Sequence, residues 1–180
     1  MNTECLEILK TIVATSGTII VSIISSICVI KSTRKTIENE KKHEYAKRLE
    51  EFYYPILLLL KKSTQLHKVL MSLKKIDENG CLIHLLQGKT LEGNSLYIFN
   101  EILVLDKQIN DLILKYSKYI SNKDLQTDLT NLSTHYSILF LANEGKLVED
   151  ICILSKHVYP INIVDSIEKE IKIIEQKVKD

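Results

Sequence analysis

The sequence predicts an all-α protein with one N-terminal transmembrane helix followed by a cytosolic helical bundle. Residues 11–30 form one long stretch without a charged side chain. The rest of the chain is rich in Leu, Ile, Lys and Glu, whereas its 180 residues include only five glycines and two prolines. Few helix breakers among many helix formers favour helices, and apolar side chains recur at helical spacing through most of the chain.

The uncharged stretch 11–30 is long enough to cross a bilayer. At about 1.5 Å per residue it reaches about 30 Å, the thickness of the hydrocarbon core. Basic residues follow it, beginning with Lys31, Arg34 and Lys35. The positive-inside rule places such a flank in the cytoplasm. We therefore expect a single-pass protein of the cell inner membrane, with residues 1–10 outside and the C-terminus cytoplasmic.

Hydroxyl side chains recur along one face of this predicted span, at Thr11, Thr15, Thr18, Ser22 and Ser25. Small and hydroxylated faces let membrane helices approach closely and form hydrogen bonds to each other. The pattern favours self-association into a homo-oligomer, and lining of a narrow pore is a further hypothesis. Alternatively, each hydroxyl bonds back to its own helix and does nothing more.

Residues 31–54 are predicted to form a basic juxtamembrane helix, and residues 55–180 a cytosolic helical domain. Pro55 lacks an amide donor, so it either kinks a helix or begins a new one. The aromatic residues Phe52, Tyr53 and Tyr54 precede it. These four residues are the predicted hinge at which the core of the domain begins.

Apolar residues at helical spacing predict the remaining elements of the domain. Residues 77–95 hold three of the five glycines and are predicted to be a long loop with a short helix at 81–87. Helices are predicted over 56–73, 96–120, 124–143, part of 147–159, and from 162 to near the C-terminus.

The sequence offers no motif for catalysis, for a cofactor or for a metal. The four cysteines lack a C-x-x-C spacing, and no histidine has a metal-ligand partner at the third or fourth position after it. His135 lies beside an apolar face and is predicted to be a hydrogen-bonded core histidine. The net charge of +1 also excludes the strongly basic surface of a nucleic-acid-binding protein.

The segment 49–56, with the sequence LEEFYYPI, carries a resemblance. The chain resembles a loose group of small, uncharacterised bacterial membrane-anchored proteins with an N-terminal span, a juxtamembrane L-E-x-F-Y-x-P-L motif and a helical domain. His135 and the Tyr159–Pro160 pair match further features of that group. Ile56 in place of Leu and a shorter middle without tryptophan depart from it. The resemblance implies the architecture and topology, but no activity.

These observations predict a membrane-anchored, non-enzymatic module that holds a cytosolic protein or a small ligand at the inner membrane surface, or senses it there. The alternative is an oligomeric membrane effector of the defence or toxin type, whose spans assemble to perturb the membrane. The lipid bilayer is the partner that both hypotheses share.

Overall fold

The computed structural model describes residues 3–74, 80–147, 151–154, 156–157 and 159–179; for residues 3–6, 8–21, 23, 24, 74, 80, 151 and 152 it describes the backbone alone. All regular elements in these residues are helical, as predicted. The α-helices are α1 (Thr3–Arg48), α2 (Tyr54–Lys74), α3 (Gly80–Leu86), α4 (Asn94–Lys115), α5 (Lys123–Asn143), α6 (Ile151–Leu154) and α7 (Ile163–Lys179). A π-helical turn at Leu49–Tyr53 and a 3-10 turn at Ser117–Tyr119 complete them.

The chain divides into two compact units, Met1–Glu44 and Tyr45–Asp180. Unit 1 contains the greater part of α1. Unit 2 is a helical bundle, which confirms that part of the prediction. Within unit 2, the most extensive helix pair is α2 with α4. Helix α5 packs against α3, α4 and α7.

The predicted transmembrane helix, and with it the single-pass inner-membrane localisation, is wrong for the part of the chain that the structure describes. None of the described helices is both long and apolar enough to cross a membrane. The stretch 11–30 is not a separate helix but the first part of α1, which continues through Lys31, Arg34 and Lys35. From Ser25 to Arg48 the side chains of α1 are described without a gap, and every segment of 20 residues within that part contains these three charges. Each charge near the centre of a span costs about 2.5–3.5 kcal/mol. The side chains of 8–21 lie outside the described residues.

The predicted hinge is a π-helical turn that joins two helices without a break. The N–H of Tyr54 donates to the carbonyl of Leu49, five residues back, rather than to the residue four back. Pro55 follows immediately and has no N–H to continue the α-helical pattern, so a change of hydrogen-bond register is favoured at this point. Phe52 and Tyr53 are both fully buried at the turn.

Two apolar clusters form the interior of unit 2. The larger joins the π-helical turn to α2, α4, α5 and α7, and includes Phe52, Leu60, Ile109, Leu132 and Ile167. The smaller joins α2, α3, α4 and α5, and includes Leu70, Leu82, Phe99, Ile102 and Leu139. Helices α2, α4 and α5 therefore contribute to both clusters at different levels along their length.

Asn122 begins α5 and also connects it to α7. Its side-chain Oδ1 accepts hydrogen bonds from the N–H groups of Asp124 (3.0 Å) and Leu125 (3.3 Å), as an N-cap does. Its Nδ2 donates to Oε2 of Glu170 at 3.0 Å, and Glu170 is buried in α7. Asp would be as good an N-cap as Asn but could not donate to Glu170. The hydrogen bond to Glu170 of α7 thus explains why residue 122 is Asn and not Asp.

Leu60 and Leu58 allow a matched test of the core on one helix. Leu60 is fully buried and Leu58 is 70% exposed. We expect Leu60→Ala to lower the free energy of unfolding by about 2–5 kcal/mol, because it leaves a cavity in the larger cluster. Leu58→Ala should change it by less than about 0.5 kcal/mol. Urea denaturation of the full chain measures both, and equal effects would contradict the assigned burial.

The double role of Asn122 predicts that its two closest replacements differ. Asn122→Ser keeps the N-cap but removes the donor to Glu170, which we expect to cost about 1–3 kcal/mol of stability. Asn122→Asp also keeps the cap but adds a negative charge beside the Glu170 carboxylate, so its cost should be larger and should shrink with added salt. Urea denaturation at two salt concentrations tests this. If Asn122→Asp is as stable as wild type, the hydrogen bond to Glu170 contributes nothing to the stability of the fold.

Candidate functional site

A layer of polar side chains lies between the two apolar clusters of unit 2. Each of the three helices that span both clusters contributes to it, as does the segment before α7. We call this set the polar layer; it consists of Ser63, Thr64 and His67 of α2, Asp106 of α4, His135 and Tyr136 of α5, and Tyr159.

The helical repeat explains why these residues meet at one level. In α4, Asp106 lies between Ile102 of the smaller cluster and Ile109 of the larger one, at spacings of four and three residues. Side chains at such spacings share one helix face. His135 and Tyr136 lie in the same way between Leu132 and Leu139 in α5, and Ser63 in α2 lies three residues after Leu60 and seven before Leu70.

Asp106 is the acidic residue at the centre of the layer, and its side chain is fully buried. The Ser63 hydroxyl donates to its Oδ1 at 2.9 Å. Its Oδ2 has no hydrogen-bond partner among the described residues, and none of their lysines or arginines pairs with it. Burial raises the pKa of Asp106 to about 7, although Ser63 and the nearby Tyr136 hydroxyl act to lower it. The carboxyl group therefore holds its proton to a much higher pH than an ordinary aspartate does.

Three further oxygens around Asp106 are buried without a hydrogen-bond partner in the described part of the chain. They are the hydroxyls of Thr64, Tyr136 and Tyr159. Burial is the main cause that raises the pKa of Tyr136 and that of Tyr159, the latter to about 12, and the negative charge of Asp106 contributes to both. Tyr136 interacts with both Asp106 and Tyr159, and Tyr159 with Thr64. Weak side-chain hydrogen bonds of Tyr136 to Asp106 and Tyr159, and of Tyr159 to Thr64, act on these pKa values, but none of these contacts meets the full distance and angle requirements of a hydrogen bond.

Two neutral histidines border the layer. Burial lowers the pKa of His67 to about 4 and also lowers that of His135. Nδ1 of His135 donates to the His157 carbonyl at 2.8 Å, which confirms the predicted core histidine. The Tyr159 ring contacts both, with ring centroids 6.4 Å from His67 and 5.8 Å from His135. The histidines therefore position Tyr159 without supplying positive charge.

Four unpartnered oxygens at one place are unusual for the interior of a protein, where polar groups are nearly always hydrogen-bonded. Each unsatisfied group costs about 1–3 kcal/mol. The carboxylate oxygen needs a donor, whereas each hydroxyl can donate a hydrogen bond as well as accept one, so the arrangement suits a small polar group. Among the described residues, no group of three or more His, Cys, Asp or Glu side chains could hold a metal ion.

The residues that the sequence singled out lie elsewhere. The side chains of Thr11, Thr15 and Thr18 lie outside the described residues, whereas Ser22 and Ser25 are exposed. Ser26, which is not part of the predicted stripe, donates to the Ser22 carbonyl at 2.9 Å, so this neighbouring hydroxyl bonds back to its own helix. Whether the stripe mediates self-association stays a prediction.

The hinge residues belong to the core and its edge rather than to the polar layer. Phe52 and Tyr53 are buried, and the Tyr53 hydroxyl donates to the Tyr119 carbonyl at 3.4 Å. Tyr54 is exposed, and its hydroxyl donates to Glu175 at 2.9 Å. Pro55 is half-buried. None of the four contributes to the polar layer.

Sequence reasoning missed Asp106, although a signal was present. The residue stands on the apolar stripe of α4, where a charged side chain is out of place. Comparison with protein-family models, with curated proteins and with solved structures finds no match for this chain. The candidate site therefore depends on the geometry of the polar layer alone.

Asp106→Asn should change how stability depends on pH. The pKa of Asp106 is about 7 in the folded protein and 3.8 ordinarily, so the folded state binds more protons between these values. As pH rises from about 4 to about 7, the free energy of unfolding therefore falls by about 1.4 kcal/mol per pH unit. The total loss is about 4 kcal/mol. Asp106→Asn should match wild type at pH 4 and be more stable at pH 8.

Urea denaturation at pH 4, 6 and 8 measures this difference. His67 acts in the opposite direction: its lowered pKa makes the folded state lose stability as pH falls from 6.5 to about 4. Both proteins retain His67, so their difference isolates Asp106. Asp111→Asn, on an exposed position of α4, is the matched control and should follow wild type. Parallel pH profiles for wild type and Asp106→Asn would contradict the account.

Proposed function

We propose that unit 2 is a non-enzymatic sensing module that binds a small polar ligand at the polar layer. The observation that carries this proposal is the convergence of four unpartnered buried oxygens, from Thr64, Asp106, Tyr136 and Tyr159. A ligand that satisfied them would stabilise the folded state by removing their desolvation cost. It would also join α2, α4 and α5 to the segment that carries Tyr159.

Burial favours sensing over catalysis. Ser63 is the hydroxyl beside the carboxylate, the pair that a hydrolytic enzyme would need, but both residues are fully buried. A nucleophile must reach its substrate, and this one is directed at Oδ1 of Asp106 inside the bundle. A group buried in this way can bind a small ligand, but it cannot attack a larger substrate.

The alternative of an oligomeric membrane effector is not part of the proposal, because it depended on a membrane-spanning helix. Unit 2 carries the proposed function by itself. We expect ligand binding to change how the Tyr159 segment packs against α2 and α5, because Tyr159 contacts a histidine of each helix.

Thermal unfolding of the full chain with small probes tests the proposal. The probes are glycerol, acetate, glycine, methylammonium chloride and uridine at millimolar concentration, which represent different polar classes. We expect at least one of them to raise the Tm of wild type. Tyr159→Phe, which removes one unpartnered hydroxyl and keeps the ring, should reduce that shift while leaving the Tm without probe unchanged or slightly higher.

Tyr97→Phe is the matched control, because Tyr97 is 71% exposed on α4. It should respond to the probes as wild type does. If no probe shifts the Tm of wild type, or if Tyr159→Phe responds as strongly as wild type, the proposal fails.

A further inference from the structure

The groups that face Asp106 are hydroxyls and a thiol, which can accept as well as donate hydrogen bonds, and the only negative charge among them is that of the carboxylate. Ser63 faces it from α2, Tyr136 from α5, and Tyr159 from the segment before α7; Thr64 of α2 lies next to Tyr159. From α3, Cys81 is close enough for Asp106 to raise its pKa, to about 11, with burial as the larger cause. The nearby His67 and His135 are uncharged at neutral pH. No described residue supplies the positive charge that would balance an ionised Asp106.

From this inventory we propose that the ligand of the polar layer is an ammonium group, either the ammonium ion or the end of a primary amine. The inference depends on the proposed function and specifies its ligand. An ammonium group carries one positive charge and at least three N–H donors, and it has no acceptor to satisfy. Asp106 Oδ2 and the hydroxyl oxygens of Tyr136, Tyr159 and Thr64 offer it a carboxylate and neutral acceptors.

Other classes of ligand match this site less well. An anion would lie beside a buried carboxylate, which repels it. A neutral polyol would satisfy the hydroxyls but leave the charge of Asp106 without a counter-ion. A quaternary ammonium has the charge but no N–H to donate. A protonated primary amine matches both the charge and the hydrogen-bonding requirement.

The burial of the layer suggests the side from which such a group enters. Asp106 and Tyr136 are fully buried, whereas Thr64, His67 and Tyr159 are half-buried. The polar side chains therefore lead from the surface beside Tyr159 inward to the carboxylate. An amine end that follows this line places its positive charge at Asp106 and leaves any hydrocarbon portion towards Tyr159.

Binding of a cation at Asp106 competes with the proton. The carboxylate must be ionised to pair with an ammonium group, and its pKa is about 7. The ionised fraction is about tenfold larger at pH 8 than at pH 6, so affinity should rise by about tenfold over that range. Ammonium and simple alkylammonium ions stay protonated at both pH values, which makes the difference attributable to the protein.

Thermal unfolding of the full chain with methylammonium chloride, ammonium chloride, tetramethylammonium chloride and sodium chloride at equal ionic strength tests the inference. We expect the first two to raise the Tm of wild type and the last two to leave it unchanged. The apparent Kd for methylammonium should be about tenfold lower at pH 8 than at pH 6. Asp106→Asn should abolish the shift, and the control Asp111→Asn should retain it.

Tyr159→Phe provides an independent readout, because it should weaken methylammonium binding without altering the pH profile that Asp106 sets. An equal effect of tetramethylammonium or sodium, or a response that survives in Asp106→Asn, would overturn the inference. If only glycerol, acetate or uridine shifts the Tm, and Tyr159→Phe weakens that shift, the site binds a different class of ligand. The proposed sensing module is then supported and the ammonium ligand is contradicted. If no probe shifts the Tm, both the sensing module and its ammonium ligand are contradicted.

Discussion

A carboxyl group without a counter-ion, buried where α2 meets α4, is the constraint on which unit 2 depends. The Ser63–Asp106 hydrogen bond lies within the most extensive helix pair of the bundle. An ionised carboxylate in such surroundings costs several kcal/mol unless it is paired and hydrogen-bonded. The folded state must therefore hold a proton on Asp106, or bind a cation there, and the surrounding hydroxyls serve either state.

The polar layer also separates the interior into two apolar clusters, and it restricts how the helices align. If α4 moved by one turn relative to α2, Asp106 would lose Ser63 and face apolar side chains. The same shift in α5 would remove Tyr136 from the carboxylate. A buried polar group of this kind favours one register of the helices over others of equal hydrophobicity. The layer thus links the specificity of the fold to the candidate site.

Much of the helical architecture was predictable, because it follows from local periodicity. The helix predicted over 124–143 corresponds to α5 (Lys123–Asn143), and that predicted from residue 162 corresponds to α7 (Ile163–Lys179). The candidate site was not predictable in this way. Ser63, Asp106, Tyr136 and Tyr159 are each more than twenty residues from the next along the chain, so no local motif contains them. The membrane prediction is wrong for the described part of the chain, where no helix is long and apolar enough to cross a membrane, and residues 11–30 belong to the longer helix α1.

The sequence by itself determined the helical class and the positions of α5 and α7, and it marked Pro55 as a point where a helix is kinked or begins. These features depend on side-chain spacing, on capping residues and on the missing N–H of proline, which act within a few residues. Only the tertiary structure decided that Asp106 is buried among hydroxyls instead of solvated, and that Tyr159 lies beside it. The energy of a buried charge depends on what surrounds it in space, and the hydroxyls around Asp106 come from three other parts of the chain.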